Sequence, residues 1–293
     1  MNGLVMYGAV LALLLAAAPD DFWDPTTAQY FLAIGLIGTW RYSWAAVHWV
    51  RAMIYQHIVF PRWRAAADKL IPEIADEQVY MLVTSFRIDT ETTRRVYQAA
   101  FEEAIACGSP VTLVASIVEM GDQRLIKRLF EALNPPHHVR LVLVRIMGSG
   151  KRDALACGFR AISIDRPPPG SVVLVIDGDS LLEPGTIKKT LPFFKLFPNA
   201  SALTTDEFCE VVGRRIFREW YNLRFAQRHV LMSSVGLSRH VLTLTGRMSA
   251  FRSEVVTDPE FIARVEMDYI DHPRLGRFKF LTGDDKSSWY EIL

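Results

Sequence analysis

The sequence predicts an α/β protein in which a mostly parallel sheet flanked by helices lies behind two amino-terminal transmembrane helices. Two long apolar stretches occupy the first fifty residues, and short apolar runs then alternate with amphipathic stretches of helical length. Strands that alternate with helices form parallel sheets covered on both faces. Half of the 293 residues are hydrophobic, which excludes a disordered chain because enough apolar surface can be buried to offset the ordering entropy.

The segment 1–50 predicts a membrane module of two helices, at about 3–18 and 28–50. The first segment contains no charged residue, and the second is interrupted by Arg41 and His48. A membrane span needs about 20 apolar residues, so both segments come close to the required length. A cleaved signal peptide is the alternative for the first segment, although no basic residue precedes it as such peptides require.

Flanking charges predict how this module is oriented. The loop between the two segments is acidic, whereas the segment 51–77 is basic: Asp20, Asp21 and Asp24 lie in the loop, and Arg51, Arg62, Arg64 and Lys69 follow the second segment. Basic flanks stay on the cytoplasmic side of a membrane. We therefore expect a juxtamembrane basic segment at 51–77 and a cytoplasmic domain at 78–293.

Four strands and three helices are predicted in the first half of that domain. The strands are Val79–Thr84, Val111–Ala115, Val139–Ile146 and Val172–Asp177, and the helices are 90–107, 123–133 and 152–164. Short apolar runs are typical of strands buried on both faces, and amphipathic stretches of this length are typical of covering helices. Ligands of such sheets bind where loops leave the carboxyl ends of the strands.

The sequence Asp177-Gly178-Asp179 stands at the end of the fourth predicted strand. Two carboxylates separated by one glycine can share a hard cation such as Mg²⁺ or Mn²⁺ with a diphosphate. A solvated turn is the alternative, but the position after the apolar run Val172–Ile176 favours a functional site.

A turn that contains Gly150 and Lys151 precedes the third predicted helix. It is not a nucleotide-binding P-loop, because Arg145 stands where that motif has glycine and Arg152 stands where it has serine or threonine. It still brings a lysine to a helix amino terminus, which is suited to an anionic group. An ordinary helix start is the alternative.

Two adjacent carboxylates, Asp284 and Asp285, follow an apolar run near the end of the chain. Crowding of like charges raises a carboxyl pKa, which can suit the carboxylate to act as a general base. A helix N-cap is the alternative.

Farther upstream, five arginines lie on a helical stretch with Ile216, Trp220 and Leu223 at helical spacing. That pattern suits an anionic membrane surface or an acidic polymer, and equally a packed helix with a solvated basic face.

Other classes of function find no support. With 33 basic and 32 acidic residues, the chain lacks the charge excess of a protein that binds nucleic acid through bulk charge. Three scattered cysteines form neither a zinc motif nor a redox pair. No Gly-x-Ser-x-Gly sequence occurs, so serine hydrolysis is not indicated.

Taken in order, these motifs resemble those of the processive family 2 glycosyltransferases, which are membrane synthases of cellulose, hyaluronan and alginate type. The resemblance covers essentially the whole chain and includes a fourth motif, the segment from Gly246 to Arg252. It implies a GT-A fold, a nucleotide-sugar donor, Mg²⁺ or Mn²⁺, and an inverting single displacement. The amino-acid sequence around Lys151, Asp177 and Asp285 is most similar to that of the alginate-type members.

The resemblance also assigns roles to residues at matching positions. It implies that Asp177 and Asp179 hold the metal and the donor diphosphate, that Lys151 binds the donor, and that Asp285 is the general base with Asp284 beside it. The acceptor is expected at the fourth motif, which includes Gly246, Arg247, Ser249 and Arg252. The family's acidic pair for the nucleobase has no clear match here, and Glu119 and Asp122 are the candidates.

The function implied is an inverting glycosyltransferase of a bacterial inner membrane that polymerises β-1,4-mannuronan from GDP-mannuronate. Its implied partners are the growing polysaccharide, membrane lipid and subunits of an exopolysaccharide secretion complex, including a cyclic di-GMP sensor. Another polysaccharide synthase or a non-processive transferase that uses a UDP- or GDP-sugar is one alternative, and a non-catalytic membrane subunit is another. Because the family's Gln-x-x-Arg-Trp motif is not found before Leu293, we expect the domain to be incomplete at its carboxyl end.

Overall fold

The computed structural model describes residues 3–18, 24, 28–147, 150–267, 269–274 and 276–279. Its helices are α1 (Gly3–Ala16), α2 (Ala28–Ile54), α3 (Phe60–Asp68), α4 (Thr90–Cys107), α5 (Met120–Leu133), α6 (Lys151–Asp165), α7 (Thr186–Thr190), α8 (Pro192–Leu196), α9 (Arg215–Gly236), α10 (Ser253–Val256) and α11 (Pro259–Glu266). Its strands are β1 (Val79–Thr84), β2 (Val111–Ile117), β3 (Val139–Arg145), β4 (Val172–Asp177), β5 (Ala202–Thr204), β6 (Met248–Arg252), β7 (Tyr269–His272) and β8 (Gly276–Lys279).

The chain divides into two compact units. One consists of residues 1–62 and 208–242, and the other of residues 63–207 and 243–293. The first unit is helical, and the second contains the six-stranded sheet and the short β7–β8 hairpin.

The helices α2 and α9 pack against each other in the first unit, and polar side chains join them. The Arg51 guanidinium donates to the Ser234 carbonyl at 2.8 Å and to the Ser238 hydroxyl at 2.7 Å. His48 Nδ1 lies 2.8 Å from the Ser234 hydroxyl. Arg51, which the sequence marks only as a flanking charge, therefore fixes α9 on α2.

Helices occupy both segments for which transmembrane spans were predicted, but the spans themselves are not supported. Within the described part of the chain, no helix is both long and apolar enough to cross a bilayer. The helix α1 has 14 residues, fewer than the about 20 that a span requires, and α2 carries Arg41 and Arg51. The positions of these helices were predictable because apolar runs favour helices, whereas α1 ends at Ala16, before the predicted boundary, and the apolar character of α2, which extends to Ile54, was overestimated.

The large sheet of the second unit has the strand order β3-β2-β1-β4-β6-β5. Strands β1 to β4 are mutually parallel, and β6 lies antiparallel between β4 and β5. The predicted α/β class and all four predicted strands are confirmed. Because β6 runs in the opposite direction, its first residue Met248 pairs with Ile176 near the carboxyl end of β4.

Helices cover both faces of the parallel strands, as the continuous apolar runs require. Tyr97 and Phe101 of α4 are fully buried in the main core on one face. On the other face α6 lies so close to β1 that a Cβ on Gly158 would overlap the Leu82 side chain. This close packing holds the amino terminus of α6 near the carboxyl ends of the central strands.

Candidate active site

The site begins where β4 ends, at Asp177. The next residue, Gly178, donates its backbone N–H to the Thr84 carbonyl at the end of β1 (2.9 Å). A Cβ on Gly178 would lie 2.6 Å from that carbonyl and from the Ser85 hydroxyl, which is closer than a side chain can approach. The glycine between the two carboxylates is therefore required by the packing of this turn against β1.

A second segment reaches Asp177 from the start of α6. Gly150 precedes the helix with a φ of +138°, a backbone conformation that glycine adopts readily. The Lys151 ammonium lies 2.5 Å from Asp177 Oδ1, and both side chains are partly exposed. The structure thus joins two residues that were predicted from separate motifs to bind the donor.

The turn before β6 supplies a third segment. A Cβ on Gly246 would lie 3.4 Å from both Asp177 Oδ2 and Lys151 Nζ, so the glycine leaves space beside the charged pair. The neighbouring Arg247 carbonyl accepts a hydrogen bond from the Asp177 backbone N–H at 3.0 Å. The first part of the predicted acceptor segment therefore borders the predicted donor residues directly.

Buried hydroxyl groups brace this turn. The Thr245 hydroxyl donates to the Met248 carbonyl at 2.7 Å, and the Ser249 hydroxyl donates to the Thr245 carbonyl at 2.8 Å. Thr204 of β5 donates to the Thr245 hydroxyl and accepts from the Thr245 backbone N–H, both at 3.2 Å. Ser249, predicted to bind the acceptor, is thus buried and serves the turn itself.

The two arginines of the acceptor segment are in different surroundings. Arg252 donates to the carbonyls of Ala200 and Phe194, at 2.8 and 2.9 Å, so it anchors the chain before β5. Arg247 is 44% exposed and forms a 2.8 Å ion pair with Glu207, a carboxylate that is only 7% exposed. Of these two predicted acceptor residues, Arg247 is therefore the one that lies beside the charged pair.

Glu119 and Asp122, the candidates for the nucleobase, lie after β2 at the amino terminus of α5. Glu119 is the N-cap of that helix, and Asp122 is buried in its first turn. Burial, assisted by the charge of Glu119, raises the pKa of the Asp122 carboxyl. Nearby, the buried Tyr97 hydroxyl lies 3.3 Å from the Ser85 hydroxyl at the end of β1. Both candidates therefore lie at the same edge of the sheet as Asp177.

The donor set at β4 suits a divalent cation that phosphate groups also coordinate. Among the described residues, no group of three or more His, Cys, Asp or Glu side chains could hold a metal without other ligands. Mg²⁺ is commonly bound by one or two carboxylates together with substrate phosphates, and the pair Asp177 and Asp179 matches that pattern. The Lys151 ammonium shows that a cation fits against Asp177. The predicted bases Asp284 and Asp285 lie outside the described residues.

Glu207 and Thr204 are site residues that sequence reasoning missed. Thr204 is the last residue of the three-residue strand β5, and Glu207 follows that strand. Each lies about 40 positions before its partner, which is Thr245 for Thr204 and Arg247 for Glu207. The only signal in this segment was the acidic pair Asp206-Glu207. The residues before it, Ala202-Leu203-Thr204-Thr205, are too few and too polar to mark the end of a strand.

Comparison with known proteins identifies the family of this chain. The sequence profile of the glycosyltransferase-like family 2 matches residues 76–293. A protein named glycosyltransferase alg8 from Pseudomonas syringae pv. tomato is 52% identical over 99% of this chain, and one of the same name from Azotobacter vinelandii is 49% identical over 100% of it. The chain spans 59% of the length of each of these two relatives.

A search of solved structures finds a mannosyltransferase from Pyrobaculum calidifontis in complex with GDP-Man and Mn²⁺. It is 17% identical, with a TM-score of 0.44, and the match covers 75% of this chain and 64% of that one. A similarity this low has no bearing on substrate or metal. The family match covers the strand ends, the Lys151–Asp177 pair and the turn before β6, and the chain therefore belongs to the glycosyltransferase-like family 2, with a GT-A-like fold.

Proposed function

We propose that this chain contains the donor site of an inverting glycosyltransferase that polymerises β-1,4-mannuronan from GDP-mannuronate. The observation that supports it most is the contact of Lys151 with Asp177 beside Gly246. A cationic side chain, carboxylates for a metal and an open glycine turn meet at the strand ends, where α/β sheets bind ligands. The relatives named glycosyltransferase alg8, at 49 and 52% identity, support the same assignment.

In this proposal the donor diphosphate binds next to the charged pair. A divalent cation held by Asp177 and Asp179 would offset the negative charge that the diphosphate gains as the glycosidic bond breaks. Lys151 leaves Asp177 and donates hydrogen bonds to the same diphosphate, which stabilises the leaving group further. Gly246 has no side chain between the sugar and the charged pair, so the sugar can approach that pair closely.

The acceptor reacts on the opposite face of the sugar. The oxygen of the acceptor hydroxyl bonds to the anomeric carbon as the GDP leaves, so that the configuration inverts. Asp285 accepts the proton that this hydroxyl loses. We assign this role, and a supporting one for Asp284, from the motif resemblance alone. Glu119 and Asp122 are proposed to contact the nucleobase, because carboxylates accept hydrogen bonds from the base edges.

The first unit supports a proposed location at the inner face of a bacterial inner membrane. On α9, the apolar side chains Ile216, Phe217 and Leu223 are 71, 57 and 70% exposed. Arginines alternate with them, and the Arg224 guanidinium lies over the Trp220 ring at 5.1 Å. A helix with exposed apolar and aromatic groups among arginines is suited to an anionic lipid surface.

Calorimetry with GDP and UDP, each with and without Mg²⁺ or Mn²⁺, tests the donor site. We expect metal-dependent binding of GDP and weaker binding of UDP. If neither nucleotide binds in a metal-dependent manner, the proposed donor site is refuted, and a preference for UDP refutes the GDP-sugar donor. With GDP-mannuronate and an oligomannuronate acceptor, extension by many residues supports polymerisation, whereas a single added residue identifies a non-processive transferase.

A further inference from the structure

We propose that Arg247 binds the carboxylate of a uronate and so makes the site selective for an acidic sugar. This inference rests on the proposed function and assigns a specificity-determining residue within it. The shared chemistry is a uronate carboxylate, which either the donor sugar or the end of the growing chain can supply.

The position of Arg247 brings it to the sugar. Its carbonyl is hydrogen-bonded to the Asp177 backbone at 3.0 Å, and the preceding residue, Gly246, borders both Asp177 and Lys151. The Arg247 side chain is nevertheless 44% exposed. Because the Arg247 backbone is held beside the donor residues and its side chain is partly exposed, a ligand that enters there can reach the guanidinium.

Glu207 fixes the direction of the Arg247 guanidinium. The carboxylate lies 2.8 Å from Arg247 Nη1 and is almost fully buried. Burial of a carboxylate is unfavourable unless a charged partner compensates it, so Glu207 strongly favours the conformation in which Arg247 stays paired. The backbone of the turn before β6 is also fixed, because the buried Thr245 hydroxyl bonds to the Met248 carbonyl and accepts from Thr204.

The chemistry of this pair distinguishes a carboxylate from a hydroxyl. A guanidinium has five N–H donors in one plane, so one edge can bind Glu207 while another binds a second carboxylate in bidentate geometry. Hydrogen bonds of this type are about twice as strong as neutral ones. Mannose carries a primary alcohol where mannuronate carries a carboxylate, so it lacks the group that a preorganised guanidinium would bind.

Two pairs of ligands that differ only in this group provide the test. Binding of GDP-mannuronate and GDP-mannose to the full chain is measured by calorimetry with Mn²⁺, and a β-1,4-linked oligomannuronate is compared with a neutral manno-oligosaccharide in the presence of GDP and Mn²⁺. We expect Arg247→Gln to weaken the acidic member of one pair by about 10- to 100-fold, and the neutral member by less than about 2-fold. The affected pair shows whether the donor or the chain end supplies the carboxylate.

Matched variants separate positioning from charge. Glu207→Gln, which keeps the size of the side chain, should reduce the same preference by about tenfold, and Arg247→Lys should restore only part of it because the lysine lacks the planar fork. The control is the exposed ion pair of Arg264 with Glu260, at 2.7 Å on α11. Arg264→Gln should leave both preferences unchanged.

The outcomes also distinguish this inference from the proposed function. If the unaltered chain does not bind GDP-mannuronate with metal, the proposed function fails and this inference fails with it. If the chain binds GDP-mannuronate but Arg247→Gln weakens the acidic and neutral ligands equally, only the inference is overturned. An equal loss of GDP affinity in that variant would assign Arg247 to the diphosphate instead.

Discussion

The end of β4 and the turn before β6 are neighbours in the sheet, yet different interactions fix them. At β4 a partly exposed ion pair joins Lys151 to Asp177 at 2.5 Å. At the turn, the buried hydroxyls of Thr245 and Ser249 hold the backbone. Partly exposed ion pairs contribute little stability, typically about 0–1 kcal/mol, whereas a buried hydroxyl that loses its partner costs about 1–3 kcal/mol.

This difference matches what the two segments are proposed to do. Lys151 has to leave Asp177 when a metal and a diphosphate bind, and a weak pair permits that exchange. The turn has to keep Gly246 and Arg247 in place while ligands come and go, and saturated neutral hydrogen bonds resist such changes. Substitutions at β4 should therefore affect mainly binding, and those of the buried hydroxyl residues in the turn mainly stability.

The largest effect is expected from Asp177→Asn. Mutation of residues that merely hydrogen-bond to a metal ligand typically lowers the metal affinity by about 10- to 100-fold. Loss of the ligand itself should therefore weaken GDP binding in the presence of Mn²⁺ by more than about 100-fold. Calorimetry measures this, and thermal unfolding should show little change. Asp165→Asn is the control, since it removes a carboxylate that pairs with Arg140. An equal loss of GDP affinity in both variants would contradict the assignment.

Lys151→Met should have a smaller effect, and it should change the affinity for GDP and the affinity for Mn²⁺ alone in opposite directions. GDP with Mn²⁺ should bind about 10- to 100-fold more weakly, because a charged hydrogen bond is worth about 1.5–3 kcal/mol. Mn²⁺ alone should bind more tightly, because no ammonium competes for Asp177. Lys195→Met, which breaks a 2.9 Å pair with Glu77, should change neither affinity. Weaker binding of Mn²⁺ alone would refute the exchange of partners.

Thr245→Val tests the buried, uncharged hydrogen bonds that hold the turn before β6. The variant keeps the shape of the side chain but removes the 2.7 Å hydrogen bond to the Met248 carbonyl and the hydroxyl that accepts from Thr204, so the free energy of unfolding should fall by about 1–3 kcal/mol. Denaturant unfolding measures the loss. Thr243→Val, in the same segment but only half-buried, should cost less. If Thr245→Val is as stable as the unaltered chain, the hydroxyl network does not hold the turn.

The sequence predicts the parallel half of the fold well. The strands β1, β2 and β4 are largely apolar runs, and β3 is an apolar run with Arg140 and Arg145 in it. The helices between these strands are amphipathic, so local pattern and tertiary role agree. The same reasoning locates Asp177 and Lys151, because a charge that follows a buried strand or opens a helix is visible in one short segment.

The antiparallel half could not be predicted in the same way. The strand β5 has three residues, too few to show a periodic pattern, and its place beside β6 depends on pairing across about 50 positions. The ion pair of Glu207 with Arg247 and the bond of Thr204 with Thr245 arise from that pairing. No property of either residue in its own segment reveals its partner.

The smallest expected effect concerns Asp122, where burial and the charge of Glu119 raise the carboxyl pKa. Because the folded-state pKa exceeds the unfolded one, the folded state is favoured by protonation, and stability falls as the pH rises through the folded-state pKa. Asp122→Asn removes this titration, so the variant should be more stable than the unaltered chain at neutral pH, and the gap should close as the pH falls.

Thermal unfolding over a series of pH values measures this gap. Asp89→Asn is the contrasting control, because the Asp89 carboxylate caps α4 and its pKa is lowered by hydrogen bonds from the Thr92 side chain and the Thr92 N–H. That variant should gain no stability at neutral pH. A gap that does not depend on pH would contradict the raised pKa of Asp122. A carboxylate that lowers stability at neutral pH is expected where binding requires the charge, so the same Asp122→Asn variant should also weaken GDP binding if this residue contacts the base.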